Sequence, residues 1–166
     1  MTTQIAINGF GRIGRCVLRA LYESGRTDVK VVAINDLGKP ENLAHLLKYD
    51  SVHGTFAADV QVQGETLLIN GDVVQLSAIA SPQDLPWDGV DVALECTGRF
   101  NSREKAGKHL ENGSKRVLVS APASNADRTV VFGVNSDDLT SADHVVSNAS
   151  CTTNCLAPVV KVMHGQ

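Results

Sequence analysis

A doubly wound α/β domain built on a mostly parallel sheet is the fold the sequence predicts, and three observations predict it. An apolar run over residues 4–8 leads into Gly9-Phe10-Gly11-Arg12-Ile13-Gly14 and then directly into a segment of helical period. A second buried run, Val29–Asn35, ends on Asp36, at the spacing of about 20 residues that a glycine-rich dinucleotide fingerprint asks for. Apolar runs alternating with helical segments then resume at 91–96, 117–119, 129–134 and 144–148, the pattern of strands joined by crossover helices.

Composition bounds the answer. The chain has 166 residues, 43% hydrophobic and 20% charged, enough for one domain with a real core and too short for two ordinary ones. A formal net charge of -3 makes no field that steers a protein to nucleic acid or anionic lipid, so neither is an expected partner. No basic segment followed by an apolar core opens the sequence, and no run approaches membrane-spanning length, so a cytoplasmic protein is expected. Cys16, Cys96, Cys151 and Cys155 are scattered without a secretory context, which argues against a disulfide framework.

The elements follow in order. In the first helix Ile13, Val17, Leu18 and Leu21 share one face, Arg12, Arg15 and Arg19 take another, and Ser24-Gly25 stops it. Strand, glycine turn and helix together make a Rossmann-type unit with a job for each glycine. Gly9 allows the tight turn, Gly11 lets backbone approach a pyrophosphate, and Gly14 permits close packing of helix on strand. Asp36, accepting from the adenosine ribose hydroxyls and repelling a 2′-phosphate, favours NAD over NADP. The plainer reading is a conformational glycine turn with an ordinary acidic residue at a strand end. Residues 40–49 form a second helix with Pro40 in its first turn. Val60 and Val62 then alternate with polar residues, and Asn70-Gly71 joins Thr66–Ile69 to 72–76, a hairpin signal that marks an antiparallel excursion. Thr97-Gly98-Arg99-Phe100 turns at the end of the 91–96 strand, and Asn101 with Glu104 resembles a capping box for a helix ending near Gly113. The 117–119 strand runs into Ser120.

The last motif is Ser150-Cys151-Thr152-Thr153-Asn154-Cys155. A helix opening at Ser150 puts Cys151 at a positive end, where unpaired N–H groups stabilise a thiolate and make a nucleophile. Ser150 and Thr152 add hydroxyls at a place suited to phosphate. The alternatives are a buried structural cysteine with Ser150 as a simple N-cap, or a redox pair with Cys155. A closed metal site lacks further ligands nearby, and none is expected. Pro158 should kink this helix rather than end it. In an open parallel sheet ligands bind beyond the carboxyl ends of the strands, so Gly9, Asp36, Thr97, Ser120 and Cys151 are expected on one rim.

Ala-Ile-Asn-Gly-Phe-Gly-Arg-Ile-Gly-Arg at 6–15, Ile-Asn-Asp-Leu at 34–37, Lys-Tyr-Asp-Ser-Val-His-Gly at 48–54, Glu-Cys-Thr-Gly at 95–98 and Ser-Asn-Ala-Ser-Cys-Thr-Thr-Asn-Cys at 147–155 closely resemble phosphorylating glyceraldehyde-3-phosphate dehydrogenase, from end to end of the chain. The resemblance implies oxidation of glyceraldehyde 3-phosphate by NAD in glycolysis through a thiohemiacetal and a thioester on Cys151, the thioester being cleaved by inorganic phosphate to an acyl phosphate. It implies a cofactor site of Asn8, Gly9, Phe10, Gly11, Arg12, Ile13, Gly14, Asp36, Thr97, Gly98, Phe100 and Ser120, with Ser150 and Thr152 holding phosphate, and a homotetramer. Residues 1–149 then form the NAD-binding domain, and 150–166 the first helix of a catalytic domain largely absent from this chain. The family's general-base histidine matches none of His45, His53, His109, His144 or His164, so little or no turnover is expected of the 166-residue chain alone. Erythrose-4-phosphate dehydrogenase, suggested by residues 20–26 and 44–48, is a rival within the family. A stand-alone NAD-binding or thiol redox module is a rival outside it.

Overall fold

Apolar residues alternate along β1 (Thr3–Asn8), Ile5 and Ile7 facing one way and Ala6 the other, and all three are buried, as a strand covered on both faces requires. The computed structural model describes residues 2–165. After β1 come α1 (Arg12–Ser24), β2 (Val29–Asn35) and α2 (Pro40–Lys48), then a small antiparallel pair, β3 (Tyr49–Asp50) and β4 (Gly54–Thr55). The hairpin strands β5 (Val60–Gln63), β6 (Thr66–Ile69) and β7 (Asp72–Ser77) precede β8 (Val92–Glu95), α3 (Arg103–Ala106) and α4 (Lys108–Glu111). β9 (Arg116–Val119), β10 (Arg128–Thr129), β11 (Val145–Ser147) and α5 (Cys151–His164) complete the order.

One nine-stranded sheet has the order β10-β11-β9-β8-β1-β2-β7-β6-β5. From β10 to β7 every pairing is parallel, and β7-β6 and β6-β5 are antiparallel, which is the expected excursion. Strand order reverses between β1 and β8, the topological switch point at which such sheets open a crevice. A large core of Ile7, Phe10, Leu18, Ile34, Leu47 and Ile69 fills one face under α1 and α2. Ala6, Leu85, Trp87, Val90 and Ala93 fill the other.

The carboxyl ends of the parallel strands are level. Asn8 pairs with Asn35 and with Glu95, Glu95 with Val119, and Val119 with Ser147. The chain leaves each strand tied to its neighbour: Gly9 N–H donates to Asn35 O, Asp36 N–H to Ser77 O, Cys96 N–H to Asn8 O, Ser120 N–H to Glu95 O and Asn148 N–H to Val119 O. Five turns are thereby fixed along one rim.

Three local expectations need correction. The 129–134 run is strand only at Arg128–Thr129, because beyond it the Asn135 side chain accepts from Val131 N–H and folds the segment into a turn. The cap of the following crossover is Ser102, whose Oγ accepts from Lys105 N–H, not Asn101, and the helix is broken into α3 and α4 at Gly107. Arg19 is buried, not on the solvent face with Arg12. Its guanidinium donates to the carbonyls of Leu47, Lys48 and Gly54 and lies 5.2 Å from the centre of the Phe56 ring. α5 runs through Pro158 as a single helix, and none of its residues is buried. Among the described residues no helix is long and apolar enough to cross a membrane.

Candidate functional site

A cavity of about 260 Å³ opens at the switch point, and the turns after β1, β2 and β8 form its walls. Asn8, Gly9, Gly11, Asp36, Thr97 and Phe100, all expected from the sequence, line it. Asn35, Leu37, Ile79, Ala80, Cys96 and Arg99 line it as well. The first two flank the acidic residue at the β2 end, where a reading of the fingerprint alone has no reason to stop.

The glycines have the geometry of a cradle. Gly9 has φ +91°, and a Cβ there would stand 2.7 Å from the Thr97 nitrogen, so only glycine lets the first turn press against the β8 turn. A Cβ at Gly14 would stand 2.4 Å from the Gly9 carbonyl oxygen, which is why α1 can lie so close to β1. Gly11 has nothing within 4 Å of a Cβ position, so its backbone is open on the side where a ligand would approach. Gly11 is the N-cap of α1, with no side-chain cap and no acidic residue in the first turn. The helix start, with Arg12 and Ile13 exposed, therefore presents N–H groups and the positive end of the dipole. Phe10 is buried and does not line the cavity. Its N–H donates to Asp36 Oδ2 at 2.7 Å, while Gly38 N–H donates to Oδ1 at 2.9 Å. Each oxygen of Asp36 keeps a further acceptor site, which is what a ribose diol needs. Open backbone donors for a diphosphate and a fixed carboxylate for a ribose, in one crevice, fit a dinucleotide.

The far wall is polar and tied down. Thr97 donates to Glu95 through both its N–H and its hydroxyl, and Arg99 N–H donates to Thr97 Oγ1. Burial pushes the Cys96 thiol up to about 11, a hydrogen bond with Ser120 opposing and the Glu95 charge adding to it, so this cysteine lines the cleft as an inert thiol. Gly98, with φ +71°, turns the chain toward Phe100.

Cys151 opens α5 four residues beyond the end of β11, on the same rim. The ends of β1 and β11 are three strand spacings apart, about 14 Å. Its side chain is exposed. Ala149, just before the helix, holds φ +58°, a left-handed conformation costly for a residue with a Cβ, and Asn154 Nδ2 clamps the turn by donating to the carbonyls of Asn148 and Ser150. Ser150 is the N-cap: its Oγ accepts from Thr153 N–H at 3.0 Å and lies 2.7 Å from Thr153 Oγ1. Thr152 is exposed and borders a groove with Leu156 and Val160. Ser120, Ser150, Thr152 and Cys151 do not line the Asp36 cavity; they continue the rim beyond it. Among the described residues no histidine stands on the Cys151 turn. His109 is buried against Glu95, and His164 lies roughly 20 Å farther along α5.

Beyond those added lining residues, the sequence reading also passes over Glu95 and His109. They form a buried pair 3.0 Å apart under the cleft. The sequence signal was present in Glu95, the acidic end of an otherwise apolar strand.

The family model described as the NAD binding domain of glyceraldehyde 3-phosphate dehydrogenase matches residues 3–103. The chain is 62% identical over 164 residues to the glyceraldehyde-3-phosphate dehydrogenase of Cereibacter sphaeroides, covering 99% of this chain and 49% of that protein. It is 60% identical over 166 residues to that of Xanthobacter flavus, covering 99% and 50%, and 54% identical over 169 residues to that of Geobacillus stearothermophilus, covering 100% and 50%. The chain thus spans about half the length of the curated relatives it matches.

Proposed function

The chain belongs to the glyceraldehyde-3-phosphate dehydrogenase family through its NAD-binding domain, and from that premise we propose that it is the cofactor-binding portion of an enzyme oxidising glyceraldehyde 3-phosphate to 1,3-bisphosphoglycerate with inorganic phosphate. The observation that carries the reading is the switch-point crevice, where Asp36 and the uncapped start of α1 face one cavity.

In this reading Gly11, Arg12 and Ile13 offer backbone N–H groups to the pyrophosphate, and Asp36 accepts from the adenosine ribose hydroxyls. Asn8, Phe10 and Gly14 hold that cradle in shape. Thr97, Gly98, Phe100 and Ser120 wall the cleft on its way to Cys151. NAD, when bound, supplies the hydride acceptor. The Cys151 thiolate adds to the aldehyde carbon, and once oxidised the adduct is a thioester on its sulfur. An oxygen of inorganic phosphate attacks the thioester carbonyl, the C–S bond breaks, and the sulfur leaves again as thiolate with an acyl phosphate released. The N–H of Cys151 faces charge developing on the carbonyl oxygen, and Ser150 and Thr152 help hold the attacking phosphate.

The relatives named above support glyceraldehyde 3-phosphate over erythrose 4-phosphate, and an enzyme portion over a stand-alone cofactor or thiol module. We take residues 1–149 as the NAD-binding unit and the helix from Ser150 as the opening of the unit that carries the chemistry. The exposure of Leu156, Val159, Val160, Val162 and Met163 on α5 supports that division. A cytoplasmic homotetramer is the assembly proposed for the full-length protein.

Asp36→Asn tests the reading. Loss of the charge that meets the ribose is expected to weaken NAD binding about tenfold and to narrow the preference for NAD over NADP. Calorimetric titration of both cofactors checks it, and unchanged affinity with unchanged preference would contradict the site.

A further inference from the structure

We propose that Glu95 and His109 are positioning residues for the cofactor cleft, acting through the Asn8 side chain and the Thr97 turn. The proposal rests on the reading of the cleft as the NAD site.

Beneath the cleft a hydrogen-bond chain crosses the ends of four adjacent strands. Ser77 Oγ donates to Asn35 Oδ1 at 2.9 Å, Asn35 Nδ2 to Asn8 Oδ1 at 2.8 Å, and Asn8 Nδ2 to Glu95 Oε2 at 2.7 Å. Asn35 also brackets the backbone of Ile79, accepting from its N–H and donating to its carbonyl. The chain ends on Glu95, whose second oxygen takes the N–H and hydroxyl of Thr97, while His109 Nε2 lies 3.0 Å from the first. Asn8, Asn35, Glu95 and His109 are all buried, the last two at 1% and 0% exposure.

A carboxylate only accepts, so it sets the direction of everything bonded to it. With donors from Asn8 and Thr97 converging on Glu95, and His109 Nε2 donating to it in the tautomer that carries its proton there, the Asn8 amide turns its NH₂ to Glu95 and its oxygen to Asn35, and the Asn35 amide follows. Asn8, Asn35, Ile79 and Thr97 all line the cavity; Glu95 and His109 do not. The floor of the site is therefore shaped by an acceptor the cofactor never touches. His109 is itself held in place: its ring stacks on Trp87, centroids 5.4 Å apart and planes 8° from parallel. His109 Nδ1 is left without a partner among the described residues, so the ring is held through Nε2 and its stacking alone, and a change in one member of such a network is felt by the others.

The test measures NAD affinity by calorimetry and thermal unfolding for the unaltered chain and for Glu95→Gln, His109→Leu and His109→Gln. The Glu95→Gln amide keeps the shape but sets N–H groups against donors, so NAD affinity is expected to fall about tenfold or more. His109→Leu withdraws one donor and is expected to move affinity the same way. His109→Gln carries an N–H that can reach the same carboxylate and should retain affinity to within about threefold. Leu67→Ala, a buried change in the hairpin away from the cleft, should lower the melting temperature without altering affinity. If Glu95→Gln does not fold, the two His109 variants decide. Folded His109→Leu that binds NAD like the unaltered chain would overturn the proposal, and so would equal losses in both His109 variants, since ring packing would then be the cause. Failure of the unaltered, folded chain to bind NAD would overturn the functional reading itself and this proposal with it.

Discussion

Gly9→Ala is expected to cost about 2 to 5 kcal/mol of stability and to remove NAD binding. Two separate penalties add. At φ +91° the backbone is in a region that L side chains rarely adopt, a strain of about 1–2 kcal/mol for a residue with a Cβ. The new methyl would also stand 2.7 Å from the Thr97 nitrogen and 2.8 Å from the Cys96 carbonyl carbon. Both are backbone atoms, tied to Asn8 and Glu95, so no flexible side chain can move aside; overpacking of that kind costs about 1–3 kcal/mol. Relief would come only by spreading the β1 and β8 turns, which are the two walls of the cavity. Gly71→Ala is the control: its φ is +87°, but nothing lies within 4 Å of the added carbon, so it should bear the first penalty alone. Denaturant unfolding of both variants, with NAD titration, checks this. Equal costs for the two would contradict the close approach.

Cys151→Ser, placed in a protein of the relatives' full length, is expected to lower aldehyde oxidation about a thousandfold or more while leaving NAD affinity nearly unchanged. A serine hydroxyl keeps the approximate shape but does not ionise near neutral pH, and a thioester cannot form on oxygen. The cofactor side should not notice, because Cys151 is exposed and does not line the Asp36 cavity. Steady-state kinetics and calorimetry separate the two effects. Oxidation retained within tenfold would remove Cys151 as the nucleophile, and a parallel loss of NAD affinity would show that the residue shapes the cleft instead.

Much of this architecture is legible in the sequence where one local rule decides the outcome. Gly9, Gly14 and Asp36 announce themselves because a tight turn, a close helix and a strand end each demand a narrow choice of residue. Asn70-Gly71 announces the hairpin for the same reason, Asn70 holding φ +51° and Gly71 φ +87°. What escapes is set by partners distant in the chain. Arg19 has the helical phase of a solvent residue, yet the carbonyls at the end of α2 and at Gly54 draw its guanidinium inward. The β-branched run from Thr129 resembles strand, but β10 lies at the sheet edge beside a three-residue β11, Val130 N–H makes the last bond to it, and Asn135 takes the N–H of Val131. His109 gives no local sign of its role, because Glu95 and Trp87, which hold it, come from other elements. Exposed leucine, valine and methionine on α5 look in sequence like half of an amphipathic helix, whereas no residue of α5 is buried.

In the proposed enzyme a dinucleotide cradle and the Cys151 sulfur share one mouth of the sheet. The most direct measurement uses an NAD analogue with a haloacetyl group on its nicotinamide-end ring, followed by mass spectrometry to locate the alkylated cysteine. Alkylation is expected at Cys151, slowed by excess NAD, with Cys16 and Cys155 spared and Cys96, though it lines the cavity, unreactive because its thiol is pushed up to about 11 and stays protonated. Alkylation that ignores NAD, or that falls on another cysteine, would contradict that shared mouth.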